Sequence, residues 1–150
     1  MQNAELVNNL SVFVMLGICS MEDIKKKRIQ LKWLAGFAAE GIWIWCVLTK
    51  QPVLQILAAM FPGMLLSLFS YISQGGIGFG DGLLVMVIGV FLGAADTIQV
   101  LLYAVFLSAL WALFLFVVKK KGKEHEIPFI PFLMAAFIGY IMLEYCFYRK

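Results

Sequence analysis

Six apolar runs, each close to the length of a bilayer crossing, leave this chain little choice of architecture. They are Leu6–Cys19 (continuing toward Met21), Leu31–Leu48, Pro52–Ile72, Leu83–Ala95, Ile98–Val118 and Ile127–Phe147. A helix needs about 20 predominantly apolar residues to cross about 30 Å of hydrocarbon. Lipid offers no partner to a bare backbone N–H or C=O, so only helices and closed barrels span it. The polar/apolar alternation of barrel strands is absent. The expected fold is therefore all-α: a polytopic membrane bundle of six transmembrane helices, with residues 1–150 forming a single membrane-embedded domain. Composition agrees. The 150 residues are 63% hydrophobic and only 14% charged, with mean hydropathy +0.92, whereas soluble domains carry about 25% charged residues. Low charge with high hydrophobicity excludes a disordered chain. Nucleic acid is not an expected partner, because the basic residues sit in short clusters between apolar runs and build no basic face.

Those clusters orient the bundle. Lys25, Lys26, Lys27, Arg28 and Lys32 lie between the first and second runs, and Lys119, Lys120, Lys121 and Lys123 between the fifth and sixth. The connections on the other side hold Lys50 and Asp96, and the C-terminus holds Arg149 and Lys150. Lys/Arg excess marks cytoplasmic loops, so the expected topology is N-out and C-out, with Glu22–Lys32 and Lys119–Glu126 in the cytoplasm. The lysines read as topology signals and contacts to anionic lipid, and not as substrate contacts. Met1–Asn9 carries Glu5 and no basic cluster, so the first helix is expected to stay and not to be cleaved as a signal peptide. Cys19, Cys46 and Cys146 show no metal-ligand spacing. Cys46 and Cys146 both fall toward the outer face, where a disulfide needs an oxidising compartment; small polarizable residues in helix packing are the plainer reading of all three.

Acidic residues in or beside membrane spans are costly, and their default reading is functional. Asp23 falls just past the first run and Asp81 just before the fourth, which puts both at the cytoplasmic boundary. Asp96 and Glu144 fall toward the outer face, and Glu40 lies mid-span in the second run. Asp81 sits in Gly75-Gly76-Ile77-Gly78-Phe79-Gly80-Asp81-Gly82. Glycine permits unusual backbone and close approach of another chain, so this run is expected to give water and an extended peptide access to the carboxylate, with Phe79 packing beside the peptide. A phosphate-cradling loop is excluded, since no Lys-Ser/Thr follows and no strand precedes. Two carboxylates at close range share one proton. One then serves as general base toward water while the other, protonated, polarises a scissile carbonyl. That is peptide hydrolysis without a metal or a covalent nucleophile. A lone His125 and three scattered cysteines supply neither a triad nor a zinc set, and no cofactor is implied.

At these residues the chain resembles the type IV prepilin peptidases, membrane aspartyl proteases with a GxGD motif. Three blocks carry the resemblance. The first is Asp23-Ile24-Lys25-Lys26-Lys27-Arg28-Ile29. The second is Gly78-Phe79-Gly80-Asp81 followed by Leu84, Gly89 and Gly93. The third is Glu126-Ile127-Pro128-Phe129-Ile130-Pro131-Phe132-Leu133, after a basic loop. Gln30-Leu31 replaces the family's Pro-Asn, Leu83 stands where many members have Lys, and Ile130 replaces a Gly. None of these departures removes a carboxylate. The presenilins share GxGD but lack the Pro-Phe-x-Pro-Phe block. The resemblance implies an aspartic endopeptidase of the prokaryotic plasma membrane that cleaves the basic leader from prepilin-like single-span substrates on the cytoplasmic side. It implies Asp23 and Asp81 as the catalytic pair, with Gly78, Gly80, Gly89, Gly93, Pro128 and Pro131 in support. Longer members add a cysteine-tetrad domain and methylate the new N-terminus; neither feature is present in these residues, so a peptidase-only short form is expected.

Glu40 has two readings, a carboxyl hydrogen-bonded within the bundle or a group aiding water or substrate entry. Gly89-Val90-Phe91-Leu92-Gly93 is a GxxxG pattern, which reads first as close packing of the fourth helix and second as self-association into a homo-oligomer. His125 reads as a solvated loop residue. The competing class is a non-enzymatic small membrane protein, a carrier or assembly subunit. A carrier is expected to show repeats with broken helices in matching positions, and none is visible.

Overall fold

The computed structural model describes residues 2–26, 30–49, 52–72, 78–119 and 128–148. Six helices lie among them: α1 (Gln2–Lys26), α2 (Leu31–Ile44, extended by a wider π-helical turn Trp45–Thr49), α3 (Val53–Ile72), α4 (Phe79–Leu92), α5 (Ala94–Lys119) and α6 (Ile130–Tyr148). Three contain stretches long and apolar enough to cross a membrane, Glu5–Lys25, Val53–Ile72 and Ala94–Val117. Phe79–Leu92 and Ile130–Cys146 are apolar but shorter. Large apolar side chains on the outside of α3 and α5, including Leu54, Phe61, Leu68, Phe106, Leu113 and Phe116, are exposed, as a lipid-facing surface requires.

Successive helices run in opposite directions. Ser11 on α1 meets Glu40 on α2, and Glu22 near the end of α1 meets Gln30 at the start of α2. Asn8 at the start of α1 donates from Nδ2 to the Phe91 carbonyl near the end of α4, 2.9 Å away. Trp111 late in α5 packs at a tilt against Phe132 early in α6. One end of the bundle therefore gathers the starts of α2, α4 and α6.

Helix α4 is the hub, packed against α1, α2, α3 and α5. A helix apolar all round belongs in the interior, and Leu84, Val85, Val87, Ile88 and Phe91 are all buried. Its contact with α3 is the most extensive among the described helices and is made backbone to backbone. A Cβ on Gly63 would stand 2.7 Å from the Gly82 carbonyl oxygen, and one on Gly82 would stand 2.7 Å from the Ser67 nitrogen. A Cβ on Gly89 would run into the Ala59 carbonyl. Ala59, Gly63 and Ser67 recur every fourth residue along α3, the small-residue spacing that lets helices close up.

Several boundaries differ from the sequence expectation. Helix α1 runs through Asp23, and α4 begins before Asp81, so both carboxylates are helical and neither lies in a flanking loop. Helix α5 starts at Ala94, four residues ahead of Ile98. The cause is Gly93, whose φ of +87° ends α4 in a single residue. Its N–H returns to the Gly89 carbonyl, and its own carbonyl accepts from the Thr97 N–H and Oγ1. Nothing lies where a Gly93 Cβ would be, so of the GxxxG pair Gly89 packs and Gly93 terminates. Residues 27–29, 75–76 and 120–127, which include Lys27 and Arg28 of the first basic cluster, most of the second, the first glycines of the run and His125, lie outside the described residues. Cys46 and Cys146 are free and exposed.

Overpacking a tight contact typically costs about 1–3 kcal/mol. Gly63→Ala is expected to lower the thermal unfolding midpoint in detergent, whereas Gly17→Ala, with nothing within 4 Å of the added carbon, should hold or raise it. Equal midpoints for the two variants would contradict the backbone contact.

Candidate active site

The buried face of α1 is a single stripe: Val12, Met15, Leu16, Cys19, Ser20 and Asp23. Spacings of three and four keep these residues on one side of a helix, so Asp23 is the last member of a core stripe. It is 8% exposed. Its Oδ2 accepts the backbone N–H of Ile130 at 3.3 Å. That amide is at the positive end of α6, where a carboxylate is favoured. The preceding residue acts in the same way. Glu22 Oε2 accepts the Gln30 N–H at the start of α2, also at 3.3 Å. Two adjacent acids at the C-terminal end of α1, where their own helix disfavours them, are thus met by the N-termini of two other helices.

Asp81 is held by a different local device. Gly78 is the N-cap of α4, and Asp81 is the third helical residue. The Asp81 N–H bonds the Gly78 carbonyl at 3.0 Å, and the Asp81 carboxylate accepts the Gly78 N–H. This reciprocal pair is the logic of a capping box. A Cβ on Gly78 would stand 3.0 Å from Asp81 Oδ2, so a side chain there would press on the carboxylate. Gly80 occupies the second helical position, and Gly82 is taken up by the contact with Ser67. The expectation that the whole run offers room for an extended peptide needs correcting for these two glycines. They are helical, and Gly82 is filled by α3. Phe79, at the first helical position, is exposed beside the site.

Asp23 and Asp81 lie at the same end of the bundle, within electrostatic reach of each other. Asp81 is part-exposed, and the Asp23 charge acts directly on it. Among the described residues no group of three or more His, Cys, Asp or Glu could hold a metal ion. Pro128 and Pro131 flank the turn into α6, and Pro131 lies within that helix's first turn.

The remaining acids lie elsewhere. Glu40 is exposed on α2 and accepts the Ser11 hydroxyl at 2.7 Å, which matches its hydrogen-bonded reading, although on the outer surface of the bundle. It stands ten residues past Gln30, about 15 Å along the helix, and the structure does not join it to Asp23 and Asp81. Asp96, Glu144 and Glu5 gather with Tyr140 at the opposite end of the bundle, where the Tyr140 hydroxyl bonds Asp96. They line a cavity of about 890 Å³ together with Asn8 and Gln55.

Three contributors were not singled out from the sequence. Gly63 and Ser67 seat α4 against α3, and a signal for them existed in the Ala59-x-x-x-Gly63-x-x-x-Ser67 spacing. The Ile130 amide had none, since a backbone donor leaves no mark in side-chain identity.

Three apolar helices of crossing length among the described helices, with Asp23 and Asp81 toward one end, define a helical membrane protein. Residues 10–113 match the Type IV leader peptidase family, and the chain belongs to that family, which makes it a peptidase by kinship. The match takes in both carboxylates and the glycines from Gly63 to Gly93, and stops short of the Pro128–Leu133 block. No curated protein and no solved structure matches the chain.

Asp23→Ala leaves a buried amide without its acceptor, which typically costs about 1–3 kcal/mol. Denaturation in detergent should show Asp23→Ala destabilised by that order, with Asp23→Asn, whose Oδ1 can still accept, close to the parent. Equal loss in both would remove the hydrogen bond from the account.

Proposed function

We propose that this protein is an aspartic endopeptidase of the prokaryotic plasma membrane that removes the short basic leader of prepilin-like, single-span substrates. The observation that carries the reading is that Asp23 and Asp81 lie at one end of the bundle within electrostatic reach of each other, in a chain of the Type IV leader peptidase family. One carboxylate takes a proton from water as the oxygen attacks the scissile carbonyl carbon. The other, protonated, donates to the carbonyl oxygen, and a tetrahedral diol forms. Collapse breaks the C–N bond, with a proton passing to the departing amine. No covalent enzyme intermediate is needed.

The reading places all six helices across the membrane, N-out and C-out, with the carboxylate end toward the cytoplasm. Helix α4 spans only 14 residues, about 21 Å, so Asp81 at its start is recessed from a boundary about 30 Å from the other face. A carboxylate there reaches a peptide bond at the start of a substrate's apolar helix. A helical backbone hides its carbonyls in hydrogen bonds, so that first turn has to unwind, and a glycine before the scissile bond eases the unwinding. Phe79, exposed at the first turn of α4 beside Asp81, is placed to meet the unwound segment. Membrane lipid is the other partner of this surface.

Asp23→Asn and Asp81→Asn are each expected to abolish cleavage of a co-expressed prepilin-like substrate while the protein remains inserted. The parent should give a bell-shaped pH–rate curve whose apparent pKa values belong to the pair, and chelators should leave the rate unchanged. Full activity in Asp81→Asn overturns the assignment. The orientation is tested separately, by labelling a cysteine placed at position 123: protection from impermeant reagent in intact cells is expected, and labelling from outside reverses the topology.

A further inference from the structure

We propose that the backbone N–H of Ile130 is a positioning group for the reaction, holding the Asp23 carboxylate ready to act with Asp81; this rests on the Asp23/Asp81 reading above. The first turn of α6 is built so that this amide is the one left to give. The Phe129 carbonyl accepts both Phe132 N–H, at 3.0 Å, and Leu133 N–H, at 3.2 Å. Pro131 has no N–H to offer. Of the first three helical residues, Ile130 alone keeps a donor free of the helix, and that donor meets Asp23 Oδ2 from 107 residues away in the chain.

The donor is also anchored. The Ile130 side chain is 0% exposed and belongs to the central apolar cluster with Leu133, Phe137, Met15 and Leu84. Core packing therefore sets where the amide sits. The recipient is equally fixed, since Asp23 closes the buried stripe of α1. A carboxylate that accepts a hydrogen bond at the positive end of a helix is fixed in orientation and favoured in its ionised form. Asp81 has its own donor in Gly78 N–H. Each carboxylate is thus aligned by one backbone amide, Asp81 from within its own helix and Asp23 from across the bundle. The bulk at position 130 serves as the anchor, and the chemistry resides in the amide.

The test removes the donor by two routes that differ in what else they change. Ile130→Pro deletes the N–H at a helix position where proline is well tolerated. Replacing Ile130 by its α-hydroxy-acid analogue deletes the N–H, keeps the side chain, and decides the matter if the proline variant does not fold. Ile130→Val keeps the N–H and trims the packing. Steady-state cleavage of a prepilin-like substrate in detergent should show kcat reduced roughly ten- to hundredfold in the ester and proline variants. KM should be little changed, and the acidic limb of the pH–rate curve should move up by about one unit. Ile130→Val should lower thermal stability and keep the parental pH profile. A folded ester variant with the parental kcat and acidic limb overturns the proposal, and so does an equal displacement of the limb in Ile130→Val. Cleavage surviving in Asp23→Asn would instead overturn the dyad itself, an outcome that the Ile130 variants cannot mimic.

Discussion

The contact between α3 and α4 is made at backbone distance, and the geometry of the carboxylate end depends on it. Gly63, Gly82 and Gly89 remove the side chains that would hold the two helices apart. With α3 so close, α4 moves to the middle of the bundle, where α1, α2 and α5 also pack on it. In lipid there is little hydrophobic force between helices, so association rests on close van der Waals fit. A methyl group at any of these glycines pushes against main chain, which cannot rotate away. Asp81 is one residue from Gly82, so displacement at this seam is carried straight to the carboxylate.

Electrostatics at that end of the bundle follow from helix direction. Alternating helices bring the N-termini of α2, α4 and α6 together, and an N-terminus carries unpaired N–H groups and partial positive charge. Among the described residues at this end, Glu22, Asp23 and Asp81 each accept one of those amides. This solves two problems at once. Buried donors at helix starts are costly unless paired, and so are buried carboxylates. Lysine or arginine would neutralise the carboxylates more strongly, at the cost of a full opposite charge in the site. Backbone amides hold a carboxylate without bringing a full opposite charge.

The opposite end shows what acids do without that arrangement. Glu5, Asp96 and Glu144 also come close to one another, but around a wide cavity and with Tyr140 as the hydrogen-bonding partner of Asp96. Helix starts still contribute there, since Asp96 lies in the first turn of α5. The difference between the two ends is enclosure. Asp23 is buried on α1 and bonded to the start of α6, whereas the other cluster borders open volume.

Much of this was legible in the residues. Apolar run length dictated helices, because lipid leaves the backbone no other way to pair its polar groups. The glycine run marked Asp81, and the resemblance to a peptidase family joined Asp81 to Asp23. Stripe spacing in α1, at three and four residues up to Asp23, already contained the direction in which that carboxylate faces. The extent of the helices was not legible. Neither Asp23 nor Asp81 interrupts helix formation, and an acid reads as a boundary only when its partner is unknown. The same limit applies to Gly82 and Gly93, which look alike in sequence although one makes room for Ser67 and the other turns the chain through a positive φ. The sequence by itself determined a helical membrane protein with two acids worth pairing. Only the tertiary structure decided that the starts of α4 and α6 supply the amides that hold them. Hydrogen bonds from the main chain depend on where helices begin and which helices adjoin, and Asp23 meets a donor 107 residues away whose side chain says nothing about it.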